Sequence, residues 1–381
     1  MKAAIIFLIL LIQVLPASAA ASSPEGVAGT AHIAGLYSNL ESFDVTLYSD
    51  KPYENLTLEL TLLKPVANYE EVLARKVIPV DSLPANTELT KVGSWDSRSA
   101  QSGAYSIRAS LIENGRAISE SKYNFAYGDN SVSKIRVDDL VPDSKGINVV
   151  LSPVKPVLFD IEYMLVDGSD VVYSTKANSL SLTSVPENFS AAWGTLLKNN
   201  REYQGRVKIR IYSPEDETFV STRTFIARDN AEITDIYKDE TGASATVYGR
   251  SQVPFEGNLD FKVFNLNDNS AEGSSEPVDS IREKVPVLMN GDDETVEVAW
   301  KQRLQTGVYK LEIELLGNSG QVIEHRETII ESNLSPYSNL SAANNSTSET
   351  NASSGKSTPG FSTVSLISGL IAISVVLRKK G

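Results

Sequence analysis

Cysteine is absent from this chain of 381 residues, and histidine occurs at only two positions, His32 and His325. The absence of cysteine excludes disulfide bonds, zinc–thiolate sites, iron–sulfur clusters and thiol nucleophiles. The scarcity of histidine removes the usual general base and the commonest metal ligand from nearly all of the chain. Folded stability must therefore come from packed apolar cores.

Signature motifs of the common enzyme classes are also missing. The sequence has no Gly-x-Ser-x-Gly elbow, no His-Glu-x-x-His pair and no glycine-rich phosphate loop. Paired carboxylates could still serve a glycosidase, but the acidic residues cluster in segments typical of solvated turns, such as 138–139, 215–217 and 292–294. We therefore predict a protein that is not an enzyme, with no catalytic and no cofactor-binding residues.

The sequence also lacks the excess of basic residues that would form a basic surface. Acidic residues outnumber basic ones by 48 to 35, which gives a formal net charge of -13. Binding of DNA or RNA needs a basic stripe that displaces phosphate counterions, and the sequence contains none. Nucleic acid is therefore excluded as a partner.

The N-terminus carries the first hydrophobic segment. Lys2 precedes an apolar run over residues 3–14, Pro16 interrupts it, and the small residues Ala17 and Ala19 follow. This order is typical of a secretory signal peptide, and the run is too short to span a bilayer comfortably. We predict a signal peptide over residues 1–19 that is cleaved after the Ala17 to Ala19 motif, with an uncleaved anchor as the alternative.

The C-terminus has three parts. Residues 332–358 are rich in Ser, Thr and Asn and hold almost no large apolar side chains, so this spacer cannot form a core. The tripeptide Pro359, Gly360 and Phe361 follows, and an apolar run over residues 362–377 then ends at three basic residues. Basic residues beside an apolar segment favour the cytoplasmic side of a membrane, so we expect the bulk of the chain outside the cell.

This tail, over residues 359–381, resembles the archaeal PGF-CTERM sorting signal, and Pro359, Gly360 and Phe361 stand at the motif positions. The resemblance implies an archaeal source and processing by a membrane-embedded archaeosortase, which removes the apolar helix and joins the new C-terminus to a lipid anchor. A plain C-terminal transmembrane helix is the alternative. Both place the protein at the extracellular face of the cell membrane, in the S-layer region. The S-layer or another surface protein is then the expected partner.

Sequons for N-glycosylation cluster in the spacer. Five of the seven Asn-x-Ser/Thr triplets of the chain lie there, and their position in an exported segment predicts a glycosylated stalk. The candidate acceptors are Asn55, Asn188, Asn333, Asn339, Asn344, Asn345 and Asn351.

Residues 24–331 contain an internal repeat of about 100 residues. Each copy has a Trp, a polar turn and a Gly before a strand-like alternation of apolar and polar residues, which is typical of an antiparallel strand with one buried face. We predict that the Trp residues are core residues, with a sugar-binding face as the alternative. The Trp markers are Trp95, Trp193 and Trp300. The glycine markers are Gly103, Gly205 and Gly307, and successive glycines are 102 residues apart.

Many short strands between polar turns indicate an all-β fold. The arrangement resembles the Ig-like modules that are common in prokaryotic surface proteins. We therefore predict three tandem Ig-like or fibronectin type III-like β-sandwich domains, over residues 24–130, 131–230 and 231–331, with cadherin-type or jelly-roll modules as alternatives. A signal helix at the N-terminus and an apolar helix at the C-terminus complete the predicted fold.

Acidic and amide residues recur near both predicted domain junctions. Oxygen ligands from the two sides of a linker can hold Ca²⁺, whereas in the simpler interpretation these residues form linker turns. Calcium is the one metal that the sequence leaves open. The candidate ligands are Asp129, Asn130, Asp138 and Asp139 at the first junction, and Asp229, Asn230, Asp239 and Glu240 at the second.

These features together predict a secreted, C-terminally anchored structural or adhesive protein of an archaeal envelope, which displays Ig-like modules on a stalk. A polysaccharide-binding or protein-binding accessory module is the alternative. A hydrolase is the least favoured of the three because histidine-based chemistry is missing.

Overall fold

The structure is a computed structural model, and it describes residues 31–95, 101–128, 133–214, 216–266 and 276–333. These residues form 21 β-strands and no helix, so the prediction of an all-β fold is confirmed. The predicted signal helix and the predicted C-terminal helix lie outside the described residues. None of the described segments is a helix that is long and apolar enough to cross a membrane.

The strands fall into three successive groups of seven. The first group is β1 (His32–Ser38), β2 (Ser42–Ser49), β3 (Tyr53–Val66), β4 (Tyr69–Leu83), β5 (Thr87–Ser94), β6 (Gly103–Glu113) and β7 (Arg116–Tyr127). The second is β8 (Ile135–Pro142), β9 (Gly146–Pro153), β10 (Val157–Asp167), β11 (Asp170–Leu182), β12 (Glu187–Ala192), β13 (Glu202–Ser213) and β14 (Glu217–Ile226). The third is β15 (Ala231–Lys238), β16 (Gly242–Gly249), β17 (Asn258–Asn265), β18 (Asp279–Lys284), β19 (Asp293–Ala299), β20 (Gly307–Leu316) and β21 (Val322–Ser332).

Each group pairs its strands in the same order, as one set of three and one set of four. The sets are β1-β2-β5 with β4-β3-β6-β7, β8-β9-β12 with β11-β10-β13-β14, and β15-β16-β19 with β18-β17-β20-β21. All pairings are antiparallel. The first set of three and the second set of four are joined into one seven-stranded sheet through a single residue pair, Lys91 of β5 with Asp170 of β11.

Apolar side chains from both strand sets of a group meet in one hydrophobic cluster. In the first group, for example, Phe43 and Val45 of β2 face Leu60 of β3 and Ile107 of β6, and all four are essentially inaccessible to solvent. The second and third groups have clusters of the same kind. Two sheets that share one core form a β-sandwich.

The strands after each Trp confirm the alternation that the sequence predicts, but they correct the alignment of the second copy. Tyr105 and Tyr309 pair with Phe125 and Ile330 on the neighbouring strands, and their counterpart in the second group is Tyr203, which pairs with Phe225. Gly205 is therefore not the equivalent of Gly103, although their spacing of 102 residues suggests it. The spacing from Trp to Tyr, which is nine or ten residues in every copy, gives the true register.

Candidate functional site

The three Trp residues seal one end of each core. Their side chains are 6%, 1% and 6% exposed, which confirms that they are core residues. Each indole N–H donates to an acceptor at the connection between the first two strands of its group. The acceptors are the hydroxyl of Ser38, the last residue of β1, at 2.9 Å and the carbonyl oxygens of Asp143 at 2.8 Å and Asp239 at 3.1 Å in the turns. Burial of an indole without such a partner would be unfavourable.

The turn under each Trp is closed by an Asn or Asp side chain. Asn39, Asp143 and Asp239 each accept two backbone N–H groups, from the residues two and three positions further along, at 2.7 to 3.0 Å. Such side-chain bonds stabilise turns without any ligand. Glycine is required at two of the closing positions, because a Cβ on Gly146 or Gly242 would lie 2.2 Å from a carbonyl oxygen of the strand that precedes the Trp.

The junction between the first and second groups is the best candidate for a site, because outer sheet faces meet there. Val92 of β5 packs with Met164 and Val166 of β10 in a small separate hydrophobic cluster. The Val92 N–H donates to the Ser169 carbonyl at 2.8 Å. The Lys91 ammonium is nearly buried and pairs with the Asp170 carboxylate.

A buried ionic cluster lies at the centre of this junction. On β2, Asp44 points away from the first core, and on β13, Arg206 and Lys208 point away from the second core. The Asp44 carboxylate accepts from the Arg206 guanidinium at 3.0 Å and from the Lys208 ammonium at 2.5 Å. The side chains of Arg206 and Asp44 are only 1% and 4% exposed. The pair joins residues 162 positions apart in the chain, and its burial fixes the two sandwiches against each other.

Hydroxyl groups complete the surroundings of Arg206. Its NH1 donates to Ser42 Oγ at 3.1 Å and to Thr222 Oγ1 at 3.4 Å. Its Nε atom is buried and has no protein acceptor. The cluster therefore holds two cations against one carboxylate, and one donor is left unused.

A groove of about 1150 Å³ opens beside Lys208, and we call it the junction groove. The Lys208 ammonium lies 5.0 Å from the centre of the Tyr37 ring, a cation–π distance. Burial, and secondarily the neighbouring Tyr123, raises the pKa of the Tyr37 phenol far above its ordinary range, so Tyr37 stays neutral. The aromatic and charged side chains of the groove include Tyr37, Tyr123, Phe125, Lys134, Lys155, Lys208, Arg210, Asp216 and Glu217.

The junction between the second and third groups is built differently. Val253, in the loop that precedes β17, is 1% exposed and packs into the second core. The backbone of the preceding Gln252 bonds to Ser144 at 2.9 Å and to Leu197 at 3.0 Å. Asp229 is buried and accepts from the backbone N–H of Asn318 at 2.7 Å, which ties the β20–β21 turn to the linker.

The candidate calcium ligands at the second junction are not brought together. Asp229 and Asn230 lie at one end of β15, and Asp239 and Glu240 lie at the other, about 25 Å away for a strand of this length. Glu240 pairs with Arg303 at 2.6 Å. No group of three or more acidic or histidine side chains among the described residues is arranged to hold a metal ion.

At the first junction, only two of the four candidate calcium ligands fall within the described residues. Asp138 accepts from Arg136 at 2.6 Å and from the Ser152 hydroxyl, and Asp139 accepts from Arg223 at 3.3 Å. Asp129 and Asn130 lie outside the described residues.

The other predicted site residues are scattered. The sequon residues Asn55, Asn188 and Asn333 are exposed, as N-glycosylation requires. His32 lies against Tyr48, and His325 beside Glu327, at opposite ends of the described chain. The following predicted residues lie outside the part of the chain that the structure describes: Ala17, Ala19, Asn339, Asn344, Asn345, Asn351, Pro359, Gly360 and Phe361.

Sequence comparison assigns no family. The chain matches no protein-family model. No curated protein matches it significantly.

Solved structures share only distant likeness with the chain. A tetra-tandem repeat in the extending region of a large adhesion protein is 10% identical, with a TM-score of 0.24, over 80% of this chain and 74% of that one. A DUF4785 family protein from Legionella pneumophila is 11% identical, with a TM-score of 0.28, over 78% and 85%. Trypsin-activated alpha-2-macroglobulin from Escherichia coli is 13% identical, with a TM-score of 0.21, over 81% of this chain and 23% of that one. Likenesses at these TM-scores and identities assign no function.

Proposed function

We propose that this chain is an exported protein, held at an archaeal cell surface by its C-terminus, where it acts as a structural or adhesive component. The observation that carries the proposal is the placement of an all-β body between two hydrophobic ends. The first end has the order of a signal peptide, and the second has the order of a PGF-CTERM sorting signal. Export, processing by an archaeosortase and a final lipid anchor follow from these two segments.

The body suits display outside a cell. It forms large apolar cores without any disulfide bond, so its folding is independent of redox conditions. Its strong acidic excess favours solubility. Neither feature depends on a cofactor. We propose a non-catalytic role in which the S-layer or another surface protein is the partner.

We further propose that the body consists of three Ig-like or fibronectin type III-like domains, over residues 24–130, 131–230 and 231–331. Three clusters of buried residues and the threefold recurrence of the same strand order support this division. The seven-strand arrangement, with three strands over four, is the kind found in such sandwiches. Limited proteolysis tests it, since domain boundaries are preferred cleavage sites.

Intact-mass analysis of the native protein, together with detergent partitioning, tests the proposed anchoring. The expected product begins after Ala19, ends before Ser362 and carries a lipid that moves it into the detergent phase. A product that keeps the basic C-terminal residues 378–380 would replace the sorting signal with a plain transmembrane anchor. A product without lipid and without the apolar segment would contradict anchoring altogether.

A second function, a polysaccharide-binding accessory module, is favoured by one specific feature, the junction groove. The three Trp residues do not support it, because all are buried. The groove, by contrast, brings aromatic rings and charged side chains from two sandwiches to one surface.

A further inference from the structure

We propose that the junction groove binds an anionic saccharide chain, one that carries carboxylate or sulfate groups. This inference extends the proposed adhesive function and rests on it. Only a protein at a cell surface would meet such polymers. The binding chemistry itself comes from the groove and can be measured on the purified chain.

Unbalanced positive charge is the first argument. Arg206 and Lys208 share the single carboxylate of Asp44, and Arg206 is almost fully buried. Charges removed from water need full compensation, so this cluster favours an additional anion. Lys208 is the member that reaches the groove, since its side chain is 23% exposed.

Lys155 adds a second uncompensated cation. It is exposed on the groove wall and has no ion pair with any described residue. Lys134 and Arg210 are paired with Glu217 and Asp216, respectively. With Arg206 and Asp44 included, the described residues place five cationic side chains against three carboxylates here, in a chain whose net charge is -13. This excess of cationic side chains among the described residues favours anions at this point.

The shape and the aromatic lining indicate a saccharide rather than a single ion. A volume of about 1150 Å³ exceeds what a phosphate or sulfate ion fills and suits an oligomer. Tyr123 and Phe125 are half-buried and stack against each other with ring centres 6.4 Å apart. Aromatic rings beside hydrogen-bonding groups offer the apolar and polar contacts that a sugar ring needs. A polyglutamate chain would satisfy the charges but has no sugar ring to pack on the aromatic side chains.

Affinity electrophoresis of the purified full chain tests the proposal. The gels contain polygalacturonate, dextran sulfate, neutral dextran or polyglutamate. We expect retardation by polygalacturonate or dextran sulfate, and these two arms distinguish carboxylate from sulfate recognition. Neutral dextran and polyglutamate are expected to bind at least tenfold more weakly. Equal retardation by polyglutamate would reduce the groove to a general anion site, and equal retardation by dextran would remove the role of charge.

Two substitutions locate the binding. Lys155→Ala removes an exposed side chain without a structural partner and should weaken binding about tenfold, the worth of one charge-assisted contact. Lys51→Ala is its matched control, because Lys51 and Pro52 precede β3 as Lys155 and Pro156 precede β10.

Tyr123→Ala should also weaken binding, whereas Tyr69→Ala, at a tyrosine that is 64% exposed and lies outside the groove, should not. An equal loss in the variant and its control, or no retardation of the wild type, would overturn the proposal. The mass analysis of anchoring is independent of all these results.

Discussion

Three side chains occupy the same position on the outer faces of the three four-stranded sets, and their surroundings differ. Arg108, Arg206 and Glu312 each lie three residues after the Tyr of their strand. Arg108 is half-exposed and pairs with Glu70 at 2.9 Å, and Glu312 pairs with Lys310 on its own strand. Arg206 alone is buried, by contact with the first sandwich. Repetition of a fold therefore repeats the cores, while the outer faces depend on which sandwich packs against them.

The two junctions between successive groups are also held by different kinds of interaction. The first combines a small apolar cluster around Val92 and one backbone hydrogen bond with ionic side chains that meet across two outer faces. The second depends on backbone hydrogen bonds and on Val253, which enters the neighbouring core. Ionic contacts are specific but carry a desolvation cost, whereas apolar insertion and backbone bonds need no charge compensation. The first junction is thus the more sensitive to loss of one partner.

Asp44→Ala is expected to have the largest effect. It leaves Arg206 and Lys208 without their carboxylate, and loss of one member of a buried pair costs about 3–5 kcal/mol of unfolding free energy. Urea unfolding measures the loss. Hydrogen exchange should rise in β2 and β13 and stay unchanged in the third group. Glu70→Ala, which breaks the two exposed ion pairs of Glu70 with Arg108 and Lys122, is the control and should change stability little. Similar losses of unfolding free energy in the two variants would mean that the buried ion pair at the junction contributes no more to stability than an exposed one.

Val253→Ala is expected to come next. Removal of two buried methyl groups from the second core should lower the unfolding free energy by about 2 kcal/mol. Exchange should rise around Ser144 and Leu197 but not at Asp44. Val287→Ala, at a valine that is 54% exposed, is the control. A rise in exchange at Asp44 would show that the two junctions are coupled rather than independent.

Asp239→Asn tests the turns that precede each Trp, with a smaller effect. Burial alone would raise the pKa of the Asp239 carboxyl, but hydrogen bonds from Thr241 and Gly242 outweigh it and hold the pKa below the ordinary value. The charged form therefore stabilises the fold above about pH 4, the ordinary Asp value, and this contribution disappears as pH falls through the lowered pKa. An amide can close the same turn, as Asn39 does in the first group.

We therefore expect Asp239→Asn to cost about 1 kcal/mol or less at pH 7 and nothing once the pH has fallen below the lowered pKa of Asp239. Urea unfolding at several pH values measures this difference. The reverse substitution, Asn39→Asp, should add acid sensitivity to the first group. A constant difference between wild type and Asp239→Asn at all pH values would rule out the carboxylate as its source.

Calcium is expected to have the smallest effect. The carboxylates of Asp138, Asp229 and Asp239 already accept protein hydrogen bonds. Excess calcium or EDTA should therefore leave the melting temperature unchanged in a thermal scan. A rise with calcium that disappears in Asp229→Asn would instead establish a metal clamp at the second junction.

Local pattern was enough to predict the all-β class, the strand that follows each Trp and the burial of the three Trp residues, because a half-buried strand imposes an alternation that can be read directly. The pattern failed where two signals conflicted. Gly205 matches the glycine spacing, but Tyr203 matches the distance from Trp, and the paired strands select Tyr203. The glycines do not share one requirement, because a Cβ on Gly205 would lie 2.4 Å from Pro142 whereas nothing lies within 4 Å of one on Gly103. The Tyr position, by contrast, is fixed by the core in every copy.

The junction groove could not be predicted in the same way. The alternation of Arg206, Lys208 and Arg210 with apolar residues is that of a solvent-facing strand surface. The carboxylate that pairs with Arg206 is that of Asp44, which stands 162 residues earlier in the chain. Nothing in the local sequence of either strand indicates the partner.

The sequence by itself determined the all-β class, the recurrence of one core pattern and the exclusion of thiol chemistry. These depend on side-chain type and on a period of two, both of which are local. Only the tertiary structure decided which outer face is covered, which charges are buried and where a groove opens. Those outcomes depend on the desolvation and pairing of charges between distant strands, and that balance exists only once the sandwiches are in contact.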